Sequence, residues 1–174
     1  MRMKAGWRAM ETADLDRVMA IAEVVHPDYP EDRAAFAERL ALYPDGCAMA
    51  ELHGAEADGP CIGYIVIHPG RLGVPPPLDS PLGALPEVSD CLYLHDVALL
   101  PAARGLGLGV AALERMNALA ARQGFRWLAL TSTPGARAFW DAQGFLPHDG
   151  EAGLVAKLAS YGGGMTYMTK PVKG

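Results

Sequence analysis

Cysteine is scarce in this sequence. Cys47, Cys61 and Cys91 are odd in number and share no C-x-x-C spacing. That argues against a zinc site or a disulfide framework and leaves buried, reduced thiols as the expectation. Long apolar runs are missing too, since no stretch approaches the roughly 18 residues of a membrane span. The opening "MRMKAGWRAMETADLD" meets polar residues too soon for a signal-peptide core. The expectation is a cytoplasmic protein with no membrane partner. Positive charge is not in excess either. A formal net charge of -5 speaks against general nucleic-acid binding, which needs many phosphate-neutralising cations. A small phosphorylated ligand is still allowed. Between Pro101 and Arg126, Arg104, Arg115, Arg122 and Arg126 stand against Glu114, four positive charges to one negative.

What is present reads as one α/β domain over residues 1–174, with 51% apolar residues and 20% charged. "MKAGWRAM" suits a first strand. Thr12 is the expected N-cap of a helix carrying Leu15, Val18, Met19, Ala22 and Val25 at helical spacing. "HPDYPED" breaks that helix, and a second is expected through "RAAFAERLAL", stopping before Pro44. "CAMAEL" and "CIGYIVIH" read as consecutive strands joined by "HGAEADGP". Residues 69–90, "PGRLGVPPPLDSPLGALPEVSD", hold six prolines and three glycines, and no regular element fits there. "CLYLHDVALL" resumes as a strand. A helix carrying Val110, Leu113, Met116, Asn117 and Ala120 follows and ends at Gly124. "FRWLALTS" suits a buried strand, "PGARAFWDAQ" a short helix and "GMTYMTKPV" a last strand.

Between the "CLYLHDVALL" strand and the helix after it, Gly105, Gly107 and Gly109 occupy alternate positions. A P-loop needs a lysine after its last glycine, and none follows here. The dinucleotide fingerprint G-x-G-x-x-G fails at its third position, which falls on Val110 or on Ala112 depending on the start; only the alanine is tolerated. R-x-x-G-x-G is met by Arg104, Gly107 and Gly109. Backbone N–H groups at a helix N-terminus form a concave donor set for an anion, and glycine lets the ligand approach. A tight connection that binds nothing is the alternative.

"VALLPAARGLGLGVAAL" resembles the acetyl-CoA pyrophosphate motif of the GNAT superfamily of N-acetyltransferases, and "TPGARAFWDAQGF" resembles that superfamily's next motif. Together they cover about residues 92–146. The resemblance implies a mixed central sheet of six to seven strands flanked by helices, with the fourth and fifth strands splayed around the cofactor. It implies that the backbone of Val97, Ala98 and Leu99 pairs with pantetheine. Arg104, Gly105, Leu106, Gly107, Leu108, Gly109 and Val110 would wrap the pyrophosphate, and Phe139 would lie near the thioester.

Direct acetyl transfer to an amine needs a base for the ammonium proton. His95 suits that role, and "LYLHDVALLPAARG" resembles the equivalent strand of arylalkylamine N-acetyltransferases, where a histidine falls at this position. Tyr93 stands where that subfamily has a second histidine, and is a second catalytic candidate as the holder of a water. Strand alternation puts His95 and Val97 on one face and Asp96 on the other, with a structural hydrogen bond as the role of Asp96. Trp140 occupies the place of the family's tyrosine acid, and an indole N–H cannot replace a phenol there. Tyr93, Tyr161 or a water would have to protonate the thiolate, or no acid is needed.

The resemblance implies that the loops "HPDYPED" and "GVPPPLDSPLGALPEVSD" border the acceptor pocket. Their Asp28, Glu31, Asp32, Asp79, Glu87 and Asp90 would make a carboxylate-lined entrance attractive to a cationic amine, unless they are simply solvated. The expected activity is N-acetylation of a small primary amine with acetyl-CoA as cosubstrate, no metal, and a monomeric or homodimeric enzyme. An acyl-CoA-binding sensor and a protein or peptide N-acetyltransferase are the alternatives.

Overall fold

The computed structural model describes residues 3–54, 59–77, 79–148, 154–159 and 161–174. Seven strands, β1 (Lys4–Ala9), β2 (Cys47–His53), β3 (Cys61–Gly70), β4 (Cys91–Leu99), β5 (Trp127–Ser132), β6 (Leu146–Pro147) and β7 (Thr166–Pro171), form one sheet in the order β1-β2-β3-β4-β5-β7-β6. All neighbours are antiparallel except β4 and β5. The strands expected from sequence are all present. The tip of the β2–β3 connection, residues 55–58 of "HGAEADGP", and Leu78 in the proline-rich loop lie outside the described residues.

Helices α1 (Leu15–Val25) and α2 (Arg33–Leu42) cover one face. There Leu15, Val18, Ile21, Phe36 and Leu40 pack against Tyr64 and Val66 of β3. The long α3 (Leu108–Gln123) covers the other, with Ala112, Met116 and Leu119 against Ile65, Leu94 and Leu130. It ends as expected at Gly124, whose φ of 79° is the left-handed conformation glycine adopts freely. Short helices α4 (Arg137–Ala142) and α5 (Leu154–Ala159) complete the fold, and α5 and β6 have no counterpart in the sequence reading.

One boundary needs correction. Thr12 opens a 3-10 turn and does not cap α1. Asp14 instead bonds back to the Glu11 N–H at 2.8 Å and pairs with Arg8 at 2.7 Å, which places its carboxylate just ahead of the first helical turn. Cys47 and Cys91 are buried as expected, whereas Cys61 is only half-buried. All three are free, and burial pushes the Cys47 and Cys91 thiols up to about 12.

Trp140 of α4 is 6% exposed and packs edge-on to Phe145 and Phe139, with ring centroids 5.7 and 4.9 Å apart. Trp140→Ala is expected to destabilise the fold by about 3–5 kcal/mol, the usual range for removing a buried large aromatic. Denaturant unfolding measures this, and a loss near zero would mean the indole is not part of the core.

Candidate active site

The site begins where β4 and β5 part. Their ladder runs only from Cys91↔Trp127 to Leu94↔Leu130, so His95 to Leu99 continue without a partner from β5. This is the expected splay. On β4's other side the pairing with β3 shifts register: Ile67 faces Leu94 and Val66 faces Asp96, leaving His95 as the extra residue of a β-bulge. A bulge turns the strand so that neighbouring side chains no longer alternate strictly.

The bulge overturns the expected facing. His95 and Val97 do not share a face, and Asp96 is not opposite His95. The His95 ring lies 6.3 Å from Phe36 and 6.1 Å from His68, on the face covered by α1 and α2. Asp96 accepts a 2.5 Å hydrogen bond from Tyr64 Oη on the same face. Val97 packs with Leu94 and Ile65 on the α3 side. The structural hydrogen bond expected of Asp96 is therefore present, and it also pairs with a histidine the sequence reading missed.

Two histidine–carboxylate pairs result. His95 Nε2 lies 2.9 Å from Glu31 Oε1 and 3.1 Å from Oε2, with both side chains buried at 5% and 7% exposure. His26 Nε2 lies 2.9 Å from Asp96 Oδ1 and 3.0 Å from the Val97 carbonyl oxygen. In both rings the partners of Nε2 are acceptors only, so Nε2 carries a hydrogen and Nδ1 is the nitrogen that bears none in the neutral ring. Burial works against a charged His26, but the Asp96 carboxylate, the Val97 carbonyl and the Glu31 charge outweigh it and raise its pKa. His68 behaves oppositely. Burial, with His95 and Arg39 nearby, lowers it to about 4 and keeps it neutral, and its Nδ1 donates to the Pro69 carbonyl at 2.9 Å.

The His26 shift has a definite sign. Its folded value lies above the ordinary 6.5, so its pairing contributes stability fully below that value and loses it as pH rises through the raised one. His26→Gln should therefore lower the melting temperature more at about pH 6 than at about pH 9. Equal losses at both would detach His26 from Asp96.

His95, Asp96, Glu31, His26, Tyr93 and Tyr161 line a cavity of about 170 Å³, whose apolar walls include Tyr29, Pro76, Pro77 and Met165. Tyr93 Oη lies 2.8 Å from Thr131 Oγ1, and burial raises its pKa strongly. Tyr161 is also raised by burial, to about 12, and its buried hydroxyl has no partner among the described residues. The expected carboxylate-lined entrance needs correction. Of its six acids only Glu31 reaches the cavity. Asp79 and Asp90 accept hydrogen bonds from the Asp32 and Leu72 N–H groups at 2.8 and 2.7 Å.

A second, larger groove of about 420 Å³ shares Leu94, Val97, Ala136 and Trp140 with the first and runs to the glycine loop. Gly105 and Gly107 have φ of 76° and 71°, and a Cβ at either would meet nothing within 4 Å. Glycine is needed there for the left-handed backbone and for whatever approaches from outside. Gly109 differs, since its Cβ would come within 3.3 Å of Phe139, which walls the groove beside the loop. The first intrahelical bond of α3 runs from Ala111 N–H to Gly107 O at 3.0 Å. The N–H groups of Leu108, Gly109 and Val110 lie ahead of it, the usual unpaired donors of a helix start. Together with exposed Arg104 they are donors that could hold an anion such as a pyrophosphate.

Known structures share this architecture. Ard1 from Thermoplasma volcanium superposes with a TM-score of 0.70 at 14% identity, over 98% of this chain and 99% of that one. Arabidopsis thaliana Naa50, in complex with the bisubstrate analogue CoA-Ac-MVNAL, gives 0.66 at 15% identity over 96% and 98%. N-acetylglutamate synthase from Neisseria gonorrhoeae, complexed with coenzyme A and N-acetyl-glutamate, gives 0.72 at 15% identity over 98% of this chain but 35% of that one. No curated protein sequence matches the chain. The family match covers residues 11–145, from the turn before α1 to Phe145, and so takes in both histidine pairs and the glycine loop. By that match the chain belongs to the acetyltransferase (GNAT) family.

Proposed function

We propose that this chain, as one domain, transfers acetyl from acetyl-CoA to the primary amine of a small molecule, with His95 as the base. The observation that carries this reading is the buried His95–Glu31 pair in a cavity sharing a wall with the groove of the glycine loop. Acetyl-CoA, when bound, supplies an activated acetyl thioester. Arg104, Gly105, Leu106, Gly107, Leu108, Gly109 and Val110 would hold its pyrophosphate, with Phe139 on the groove wall. The unpaired β5 side of Val97, Ala98 and Leu99 would meet its pantetheine arm.

Glu31 holds the His95 Nε2–H, which fixes the tautomer and leaves Nδ1 to take the ammonium proton. The carboxylate then stabilises the imidazolium that forms. Tyr93, fixed by Thr131, stands on the same face as His95 and can order a water beside it. Tyr161 offers a hydroxyl free to donate into the cavity. Trp140 acts as a wall common to both cavities.

A small acceptor is favoured because the cavity is only about 170 Å³ and Pro76, Pro77 and Tyr29 line it, where a protein substrate would need a longer groove. Of the similar structures named above, one holds the bisubstrate analogue CoA-Ac-MVNAL and another N-acetyl-glutamate, so a peptide N-terminus is the reading to test against. The arylalkylamine likeness rests on the β4 motif alone. Thiol release with acetyl-CoA is the decisive assay, run over primary amines of increasing length and over short peptides. Release with short amines supports the proposal; peptides alone would replace it. Acetyl-CoA binding without release in every case would make the chain a sensor.

A further inference from the structure

The proline-rich loop is tied to α2 at three places. The Asp32 N–H, next to Glu31 and at the start of α2, donates to Asp79 Oδ1 at 2.8 Å. Buried Arg39 donates from Nη1 to the Ser80 carbonyl at 2.8 Å and to Glu38 Oε1 at 3.0 Å. The Glu38 carboxylate accepts the N–H groups of Leu82 and Gly83 at 2.6 and 3.1 Å. Along this stretch of loop, Pro76 and Pro77 reach the cavity, as do Tyr29 and Glu31 ahead of α2.

Asp79 is the unusual member. It is the non-glycine residue with positive φ among those described, at 47°. Such a backbone persists only where surrounding contacts hold it, and Asp and Asn tolerate it best because their short polar side chains bond locally. Here the side chain bonds across to the residue following Glu31. The strained turn, the N-terminus of α2 and the His95 partner are thus joined in sequence.

We propose that Asp79 is a positioning residue: through the Asp32 N–H it seats Glu31 against His95, and with Glu38 and Arg39 it holds Pro76 and Pro77 as the end wall that limits the acceptor to short amines. This rests on the acetyl-transfer reading above and names what sets the size of its substrate.

Two substitutions separate the contributions. Asp79→Asn keeps an acceptor oxygen and tolerates the backbone; Asp79→Gly relieves the backbone and removes the acceptor. Asp79→Asn should keep wild-type kcat and KM. Asp79→Gly should lower kcat for short amines by up to about a hundredfold, the scale of a misplacement of about 1 Å at a reacting group. It should also raise their KM, move the pH profile of kcat, favour longer amines and leave the KM for acetyl-CoA unchanged. Wild-type kinetics in Asp79→Gly would overturn the proposal. Equal impairment in Asp79→Asn would assign the effect to charge and overturn it as well.

A readout without turnover keeps this distinct from the reading beneath it. At a pH where the ring is neutral, 15N spectra of His95 should show a single Nε2–H tautomer in the wild type and Asp79→Asn, and a mixture in Asp79→Gly. An unchanged single tautomer in Asp79→Gly would overturn the positioning role whatever the enzyme's acceptor. Absence of thiol release by the wild type with every amine would instead remove the acetyl-transfer reading.

Discussion

Replacing His95 by glutamine is expected to lower kcat for amine acetylation about 10²–10⁴-fold, the usual contribution of a positioned general base, while acetyl-CoA binding persists. Glutamine keeps the approximate volume of the ring in a site where His95 touches Phe36 and His68, which limits any loss from repacking. The pH profile of kcat in the variant should also differ from that of the wild type. Glu31→Gln should retain an acceptor for Nε2–H but lose the charge that stabilises the imidazolium, so its rate should fall less than that of His95→Gln. If the His95→Gln profile matches the wild type, His95 is not the base. Isothermal titration with acetyl-CoA separates a chemical defect from a binding one.

The second large effect concerns the glycine loop. Gly107→Asn should weaken acetyl-CoA binding about ten- to a hundredfold, as expected if one charge-assisted hydrogen bond is lost. Asparagine accepts the left-handed backbone at φ 71° better than other side chains. The fold should therefore melt within a few degrees of the wild type. What changes is access: a side chain would stand in the open space outside Gly107, at the start of α3. Valine at 107 would confound the two causes, since a β-branched residue is strained at that φ. Unaltered affinity in Gly107→Asn would place the pyrophosphate elsewhere.

Local features were legible and registered ones were not. The strand, glycine turn and helix from Cys91 to Gln123 lie within one stretch of chain, and each carries its own signal: β-branched and apolar residues, then left-handed glycines, then helical spacing. The bulge at His95 depends on how β4 lies against β3, so alternation along β4 alone assigned Val97 and Asp96 to the wrong faces. In the sequence Glu31 is one loop acid among six, and its pairing with a histidine 64 residues away follows from the packing of α2. His26 sits in "HPDYPED" among carboxylates whose charge is the stronger local signal. A histidine just past a helix, ahead of a proline, was the available signal. The family match agrees with the motif likeness across both halves of the site.

The short ladder between β4 and β5 also divides the sheet mechanically. β1 to β4 form a four-stranded meander in which every neighbour is next in sequence, whereas β5, β7 and β6 form a separate trio. Four paired residues and the α3 core join the two. Amide hydrogen exchange should therefore be fast at Val97 and Leu99, whose N–H groups face the gap in the free protein, and slow at Ala98, which is paired with Tyr64 of β3, and at Leu92 to Leu94. A ligand lying along that gap would act as a missing strand. Its binding should then slow exchange on both sides of the gap, so that protection spreads well beyond the residues it touches.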